Sequence, residues 1–165
     1  MNSSELLDRT DQRILQALAT DGRMSWRELA QKIGLSLTPT LRRVRRLESS
    51  GLIRGYTARF DETRLGGGMS VFISVTLERQ TEEALKLFEE RVARVPEVMS
   101  CFLMTGDADY LLRILVADLA SYQRFLLDTL TRIPGVAHIQ SSFAIKPVVQ
   151  RVDPPLLRNN GPRSA

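Results

Sequence analysis

Four arginines stand close together in one short segment of the chain: Arg42, Arg43, Arg45 and Arg46. At about 100° per residue they fall on one side of a predicted helix, opposite an apolar stripe. A guanidinium group can donate a fork of hydrogen bonds to a phosphate or to the edge of a guanine. Most charged runs are only solvated helix faces, but this face contains little acid, so we interpret it as a nucleic-acid-binding surface. The apolar stripe consists of Leu37, Leu41, Val44 and Leu47.

The segment before this helix has the pattern of a shorter helix followed by a turn. Ser25 and Glu28 have the spacing of a capping box, in which each side chain accepts a backbone N–H at a helix start. Gly34 can adopt the left-handed conformation that ends a helix. Ser36 or Thr38 can then cap the helix that follows. Two short helices joined by a Gly-containing turn are typical of a helix-turn-helix, whose second helix enters the major groove of DNA.

A further helix and a wing complete the predicted N-terminal domain. Asp8 and Asp11 suit the first turn of a helix that ends at Gly22. After the arginine-bearing helix, residues 52–60 alternate in polarity and are predicted to form a short extended wing. The three consecutive glycines at 66–68 then predict a hinge, because glycine is costly to hold in regular structure.

The second half of the chain follows the order strand, helix, strand, strand, helix, strand. This order predicts a ferredoxin-like βαββαβ sheet with both helices on one face, so the whole chain is expected to be α+β. The predicted strands span residues 70–77, 98–105, 110–116 and 136–148, and the predicted helices span 81–95 and 121–133. The expected domains are a DNA-binding domain at 1–55, a linker at 56–68, a ferredoxin-like domain at 69–150 and a polar tail at 151–165.

Composition and charge agree with a DNA-binding domain followed by a domain that does not bind DNA. The chain is 43% hydrophobic and 25% charged, as in ordinary globular proteins. Residues 1–55 contain ten basic and six acidic side chains, whereas residues 56–150 contain ten basic and twelve acidic ones, so only the first part is expected to face nucleic acid. The chain has no long apolar run and no targeting signal, which predicts a cytoplasmic protein with no membrane partner. The single cysteine, Cys101, excludes an intrachain disulfide, and its apolar surroundings predict a buried, unreactive thiol.

Four segments resemble, in order and spacing, the leucine-responsive regulator/asparagine-regulator (Lrp/AsnC) family of prokaryotic transcription factors. They are LDRTDQRILQAL, GLSLTPTLRRVRRLESSGLIRGYTA, GDADYLL, and DTLTRIPGV followed by SSFAIK. The resemblance covers roughly residues 6–150, and one departure is Leu37, where members often have proline. It implies a winged helix-turn-helix joined to a RAM or ACT-like ferredoxin domain, in a regulator of amino-acid metabolism.

The resemblance also implies the partners of this chain. Members form dimers through their C-terminal sheets, and four dimers often assemble into an octamer. They bind double-stranded DNA as dimers and respond to small molecules, usually an amino acid, and no other cofactor is expected.

In this interpretation, the two recognition helices of a dimer enter successive major grooves. Residues at the helix start are expected to reach base edges, and other basic residues to hold phosphates. Trp26 could contact the DNA backbone, although a tryptophan beside a helix cap more often packs. The predicted DNA-binding residues are Ser36, Leu37, Thr38, Pro39, Thr40, Arg42 and Arg43 around the base edges, and Arg27, Lys32, Arg45, Arg46 and Arg54 on phosphates.

The family's small-molecule pocket lies between dimers, around the loop that corresponds here to residues 103–109. A Gly-Asp loop can offer backbone N–H groups to a carboxylate and carboxylates to an ammonium group. Aspartate in a tight turn, however, usually bonds its own backbone. The effector-binding residues implied by the resemblance are Leu103, Met104, Thr105, Gly106, Asp107, Ala108, Asp109, Leu119, Phe143 and Ala144.

Two other classes of function compete with DNA binding. An enzyme is disfavoured because the one histidine, His138, lies at a predicted strand end, and no catalytic or metal-binding motif accompanies it. We therefore predict no catalytic and no metal-ligating residues. An amino-acid-binding subunit that regulates another protein would explain the second half of the chain but not the arginine face. A steep loss of DNA affinity with added salt would separate the two hypotheses.

Overall fold

The computed structural model describes residues 7–62, 64–66 and 68–151. The chain divides into two compact units, residues 1–59 with 149–165, and residues 60–148. The boundary between residues 59 and 60 falls inside the predicted linker. Gly67 of the predicted hinge lies outside the described residues, as does the predicted tail apart from Arg151.

The first unit contains three helices: α1 (Arg9–Thr20), α2 (Trp26–Ile33) and α3 (Leu37–Ser49). Capping boxes begin the first two. The Asp8 carboxylate accepts the N–H of Asp11 at 2.8 Å, and the Ser25 N–H donates to Glu28 at 2.8 Å. These boxes satisfy backbone donors that have no partner within a helix. The buried residues that join the three helices are Ile14, Ala17, Leu29, Ile33, Val44 and Leu47.

The turn between α2 and α3 confirms the predicted helix-turn-helix. Gly34 has a φ of 75°, the left-handed conformation in which a side chain would be strained. The N–H of Leu35 donates to the carbonyl of Ala30 at 3.0 Å, which closes the end of α2. Ser36 occupies the N-cap position of α3, but its side chain makes no capping hydrogen bond. Instead, the Thr40 hydroxyl donates to the Ser36 carbonyl at 2.9 Å.

The segment after α3 differs from the predicted wing. Within the described residues, 52–60 form no strand. Tyr56 donates its hydroxyl to Glu48 at 2.9 Å, which holds the segment near the end of α3. Tyr56 and Phe60, which the alternation places on one side of the segment, are 46% and 71% exposed. Without a partner strand, the backbone N–H and C=O groups of an extended segment form hydrogen bonds with solvent and not with another strand.

The second unit confirms the predicted ferredoxin-like fold. Its elements are β1 (Met69–Leu77), α4 (Glu82–Val92), β2 (Val98–Leu103), β3 (Tyr110–Val116), α5 (Leu119–Arg124) and β4 (Val136–Phe143). The four strands are all paired antiparallel in the order β2-β3-β1-β4. The last helical segment is irregular, since α5 continues as a π-helical turn at Phe125–Thr129 and a 3-10 turn at Leu130–Arg132.

Alternation along the strands gives the sheet one buried and one open face. On β1, Val71, Ile73 and Val75 are fully buried, and they share a core with Phe88 of α4 and Tyr122 of α5. Both helices therefore cover the same face, as predicted. The core also contains Leu77, Val92, Tyr110, Leu112, Ile114, Val116, Phe125, Leu130 and Ile133.

Two strand ends of the second unit correct the sequence prediction. β2 ends at Leu103 and not at residue 105. β4 ends at Phe143 and not at residue 148, because its partner β1 begins at Met69 and the last backbone hydrogen bond joins Ala144 to Ser70. Gly68 precedes β1 where a Cβ atom would lie 2.3 Å from the carbonyl oxygen of Ala117, so close backbone packing accounts for a glycine here. In the described part of the chain, no helix is long and apolar enough to cross a membrane.

Candidate DNA-binding face and effector site

The helix α3 has a buried side and an exposed side that divide the predicted DNA-binding residues. Thr40 is fully buried, and its hydroxyl is engaged by the Ser36 carbonyl. Thr40 therefore cannot reach a base edge in this arrangement, which corrects the prediction. Leu37 was assigned to the apolar stripe but is 37% exposed, so it lies at the edge of that stripe, next to the exposed side of α3. Arg42 and Arg45 are exposed, and neither forms an ion pair within the described residues.

The other two arginines of α3 are held by acidic residues of α1. Arg43 Nη1 lies 2.5 Å from Asp8 Oδ2 and 2.9 Å from Asp11 Oδ1. Arg46 Nη2 pairs with Asp11 Oδ2, and the Asp11 side chain is only 1% exposed. Arg43 and Arg46, here called the anchored pair, therefore differ from Arg42, which extends to solvent. The sequence analysis assigned Arg43 to base edges and Arg46 to phosphates, and it did not predict these ion pairs.

Hydrogen bonding at this cluster stabilises the charged forms of its members. The N–H of Asp11, and then the guanidinium of Arg43, hold the pKa of Asp8 below its ordinary value. Asp8 and then Asp11 raise the pKa of Arg43. These carboxylates oppose the positive charge of the anchored pair, so the net positive charge of α3 is concentrated on Arg42 and Arg45.

The remaining predicted DNA-binding residues lie around the start of α3 and on α2. Trp26 is the first residue of α2 and is 39% exposed, so it is not part of the three-helix core. Pro39 is half-buried. Arg27, Lys32, Ser36, Thr38 and Arg54 are exposed.

The predicted effector loop, Leu103–Asp109, joins β2 to β3 and is fixed to β1 by its last residue. Asp109 is 7% exposed, and its carboxylate accepts the Leu77 N–H at 2.7 Å and the Gln80 side-chain amide at 2.6 Å. Both oxygens are thereby occupied by the protein, which corrects the prediction that this carboxylate faces a ligand. Met104 adds a backbone bond, since its N–H donates to the Asp109 carbonyl at 2.8 Å.

The tip of the effector loop keeps exposed polar groups. Thr105, Gly106 and Asp107 are exposed, Ala108 is half-buried, and Gly106 has a φ of 130°. Leu103 is 61% exposed at the end of β2. A tip of this kind can present backbone N–H groups and one carboxylate to an amino acid.

The other predicted effector residues lie at the opposite end of the sheet. In the register, Tyr110 lies opposite Val75, whereas Phe143 lies opposite Val71 and Ala144 donates to the carbonyl of Ser70. At about 3.3 Å per residue, Phe143 is about 13 Å along β1 from the start of β3. Leu119 lies further along, past the strand end where Val116 pairs with Met69. One chain therefore does not bring the predicted effector residues together.

A cavity of about 330 Å³ adjoins the effector loop between α4 and β2. Tyr110 donates its hydroxyl to Glu89 at 2.9 Å there, and burial and then Glu89 raise the pKa of Tyr110. Cys101 also lines the cavity and is exposed on the edge strand, which corrects its predicted burial. Desolvation of the Cys101 thiol in the cavity, and then the charge of Glu89, raise its pKa to about 11. Because the thiolate is the reactive form, this shift supports the predicted low reactivity of Cys101. The cavity is lined by Glu89, Val92, Ala93, Val98, Ser100, Cys101, Leu103 and Tyr110.

Comparison with known proteins identifies both halves of the chain. A family model described as the Lrp/AsnC ligand binding domain matches residues 70–154, and one described as a winged helix-turn-helix DNA-binding domain matches residues 7–54. The chain belongs to the Lrp/AsnC family. It is 67% identical over 150 residues to a Bkd operon transcriptional regulator of Pseudomonas aeruginosa, a match that covers 91% of this chain and 98% of the relative.

Two further Lrp/AsnC proteins are similar over most of their length. The leucine-responsive regulatory protein of Escherichia coli strain K12 is 42% identical over 144 residues, which are 87% of this chain and 88% of the relative. A crystal structure of a Neisseria meningitidis transcriptional regulator in complex with L-methionine has a TM-score of 0.86 and 39% identity, and covers 91% of this chain and 97% of that chain. The resemblance found in the sequence is thus confirmed, and this Lrp/AsnC chain is a DNA-binding transcriptional regulator.

Sequence reasoning missed the ion pairs that Asp8 and Asp11 form with α3 in this Lrp/AsnC chain. The sequence analysis placed them in the first turn of a helix, and the structure shows that they form the capping box of α1. Their contacts with α3 cross 32 to 35 residues of sequence, so no local pattern reveals them. The available signal was an acidic first turn in a domain expected to bind a polyanion.

Proposed function

We propose that this protein binds operator DNA as a dimer through the exposed side of α3. Arg42 and Arg45 carry the proposal, because they are exposed on the second helix of a helix-turn-helix and lack an ion pair among the described residues. Residues at the start of the helix reach base edges, and neighbouring basic residues hold phosphates. The proposed contacts are Ser36, Leu37, Thr38, Pro39 and Arg42 on or near base edges, and Trp26, Arg27, Lys32, Arg45 and Arg54 on the backbone.

The proposed dimer forms through the open face of the sheet. Phe72 and Phe102 are 39% and 57% exposed there, and Leu111 of β3 lies directly opposite Phe102 and diagonal to Phe72. Exposed apolar side chains that are neighbours on a sheet favour burial against another protein surface. Four such dimers would form the octamer that the family resemblance implies. Action on genomic DNA would require the protein to work in the cytoplasm, as its sequence predicts.

The proposed effector is an amino acid, bound in a site to which two chains contribute. One chain provides the tip of the effector loop, Thr105–Asp107, and another provides Leu119, Phe143 and Ala144. The separation of these groups along β1 supports a shared site, because they cannot meet within one chain. The L-methionine complex of the Neisseria meningitidis regulator supports an amino acid as the ligand class.

Two measurements on the purified protein test this function. Operator affinity is expected to fall steeply with added salt, with a slope of log K against log salt of about −0.9 for each phosphate contact. A thermal-shift series with all amino acids is expected to give stabilisation by at least one of them. A ligand at about a hundred times its dissociation constant adds about 2.7 kcal/mol. Folded protein that binds no duplex at low salt, yet is stabilised by an amino acid, would instead favour a regulatory subunit of another protein.

A further inference from the structure

We infer that Asp11, assisted by Asp8, is a positioning residue for DNA binding that divides the arginines of α3 into two functional classes. The anchored pair, Arg43 and Arg46, fixes α3 to the first turn of α1, and the exposed pair, Arg42 and Arg45, carries the charge that meets DNA. The inference rests on the proposed function, since it assigns roles within the same DNA-binding face.

The geometry of Asp11 is that of a bridging acid. Its Oδ1 atom accepts from Arg43 at 2.9 Å and its Oδ2 atom accepts from Arg46, so each oxygen has one guanidinium partner. The carboxylate is 1% exposed, whereas the Arg43 and Arg46 side chains are 25% and 47% exposed. A buried charge is stable only when it is paired, so both guanidinium groups are held toward α1.

Asp8 reinforces this arrangement from the helix cap. Arg43 Nη1 reaches Asp8 at 2.5 Å as well as Asp11, and the Asp8 side chain is 48% exposed. Asp8 and Asp11 also complete the capping box that begins α1. The same two carboxylates thus set where α1 starts and how α3 is oriented against it.

The two classes of arginine differ in how many counterions are released when they bind DNA phosphates. A solvated guanidinium at Arg42 or Arg45 neutralises a phosphate and releases its counterion, which steepens the salt dependence of binding. A guanidinium paired with Asp11 is already neutralised locally. It can still orient a donor toward DNA, but its charge contributes less to counterion release.

A matched pair of variants tests this division. Arg45→Gln and Arg46→Gln make the same change at adjacent positions of α3, one in each class. On a random-sequence duplex, Arg45→Gln is expected to reduce the slope of log K against log salt by about 0.9 per subunit that contacts DNA. Arg46→Gln is expected to reduce it by less than half of that. Equal reductions in the two variants would overturn the inference.

A change in the bridging acid provides the complementary test. Asp11→Asn removes the carboxylate that pairs with Arg46, while Asp8 still pairs with Arg43. The slope on random-sequence duplex should therefore become steeper by about 0.9 for each subunit that contacts DNA, through the freed Arg46. The ratio of operator affinity to random-duplex affinity should fall, because the freed side chain binds phosphates of any sequence. A merely structural residue would not steepen the slope. Folded Asp11→Asn protein with the wild-type slope and ratio would refute the role of Asp11.

The outcomes separate this inference from the proposed function. Far-UV circular dichroism first establishes that each variant is folded, and if Asp11→Asn does not fold, the pair at positions 45 and 46 decides. Wild-type protein that binds no duplex would end the proposed function and this inference with it. Wild-type binding with a steep slope, but without a difference between Arg45→Gln and Arg46→Gln, would end only the inference.

Discussion

Replacing Asp109 by alanine is expected to release the effector loop from β1 and destabilise the second unit. The substitution removes two hydrogen bonds to a carboxylate, from the Leu77 N–H at 2.7 Å and from Gln80 at 2.6 Å. Each such bond contributes about 1.5–3 kcal/mol, with the lower value suited to the exposed Gln80. We therefore expect the free energy of unfolding to fall by about 3 kcal/mol.

The matched control is Asp107→Ala, a change of the same residue type at the exposed tip of the same loop. Its side chain makes no hydrogen bond within the described residues, so its free energy of unfolding should stay within about 0.5 kcal/mol of wild type. Urea denaturation followed by far-UV circular dichroism suits this comparison. The single tryptophan, Trp26, belongs to the first unit, so its fluorescence would not report directly on the loop.

Ligand binding gives the result that would refute this reasoning. Asp107→Ala is expected to weaken the thermal shift produced by the effector, because this carboxylate is the exposed one. If Asp109→Ala proved as stable as Asp107→Ala and lost the thermal shift, Asp109 would be a ligand contact. Its observed hydrogen bonds would then be exchanged for those of the ligand, as the family resemblance suggested.

Three further predictions concern the first unit and the thiol. Arg43→Ala should lower the free energy of unfolding by about 1–3 kcal/mol, because Asp11 loses one of its two partners, whereas Arg42→Ala should change it by less than about 0.5 kcal/mol; equal urea midpoints would contradict this. Because the pKa of Asp8 is lowered in the folded state, its contribution to stability is complete above about pH 3.8 and is lost as pH falls through the folded-state pKa. Asp8→Asn should thus have a lower free energy of unfolding than wild type in urea denaturation at pH 6, and the difference should become smaller toward pH 3. A difference that stayed the same at pH 3 would contradict the assignment. At pH 8, Cys101 should react with a disulfide reagent about 10-fold more slowly in the folded than in the urea-unfolded protein, since its pKa is raised from 9.0 to about 11 and the loss of thiolate is partly offset by a more nucleophilic sulfur; equal rates would refute this.

Local sequence signals predicted the helix-turn-helix closely because each boundary depends on neighbouring residues. Ser25 and Glu28 begin α2 and Gly34 ends it, all through contacts within a few residues. The buried position of Thr40 was also available from the sequence. The rotation that defines the apolar stripe places Thr40 at about 160° from Arg42, inside the stripe. Its place near the helix start, where base-reading residues are common, outweighed that signal.

Contacts between distant residues could not be predicted in the same way. A carboxylate that bridges Arg43 and Arg46 from another helix leaves no periodic pattern, and the first turn of a helix already accounted for an acidic residue at Asp11. Asp109 posed the same difficulty. Its position in a tight loop, three residues after Gly106, fitted both a ligand contact and a structural hydrogen bond. The two roles are distinguished by Leu77 at the end of β1, whose N–H lies within hydrogen-bond distance of Asp109. That position depends on the pairing of β1 with β3.

The proposed effector site, to which two chains contribute, predicts how the ligand would regulate DNA binding. A site made from the loop tip of one chain and Phe143 of another exists only while the two chains are in contact. An amino acid bound there stabilises that contact, and by reciprocity the contact raises the affinity for the amino acid. The apparent affinity for the effector should therefore rise with protein concentration, and the effector should shift assembly at fixed concentration. Since the DNA-binding helices belong to the same chains, a change in assembly alters how many of them can engage one operator, which gives the ligand control over DNA occupancy.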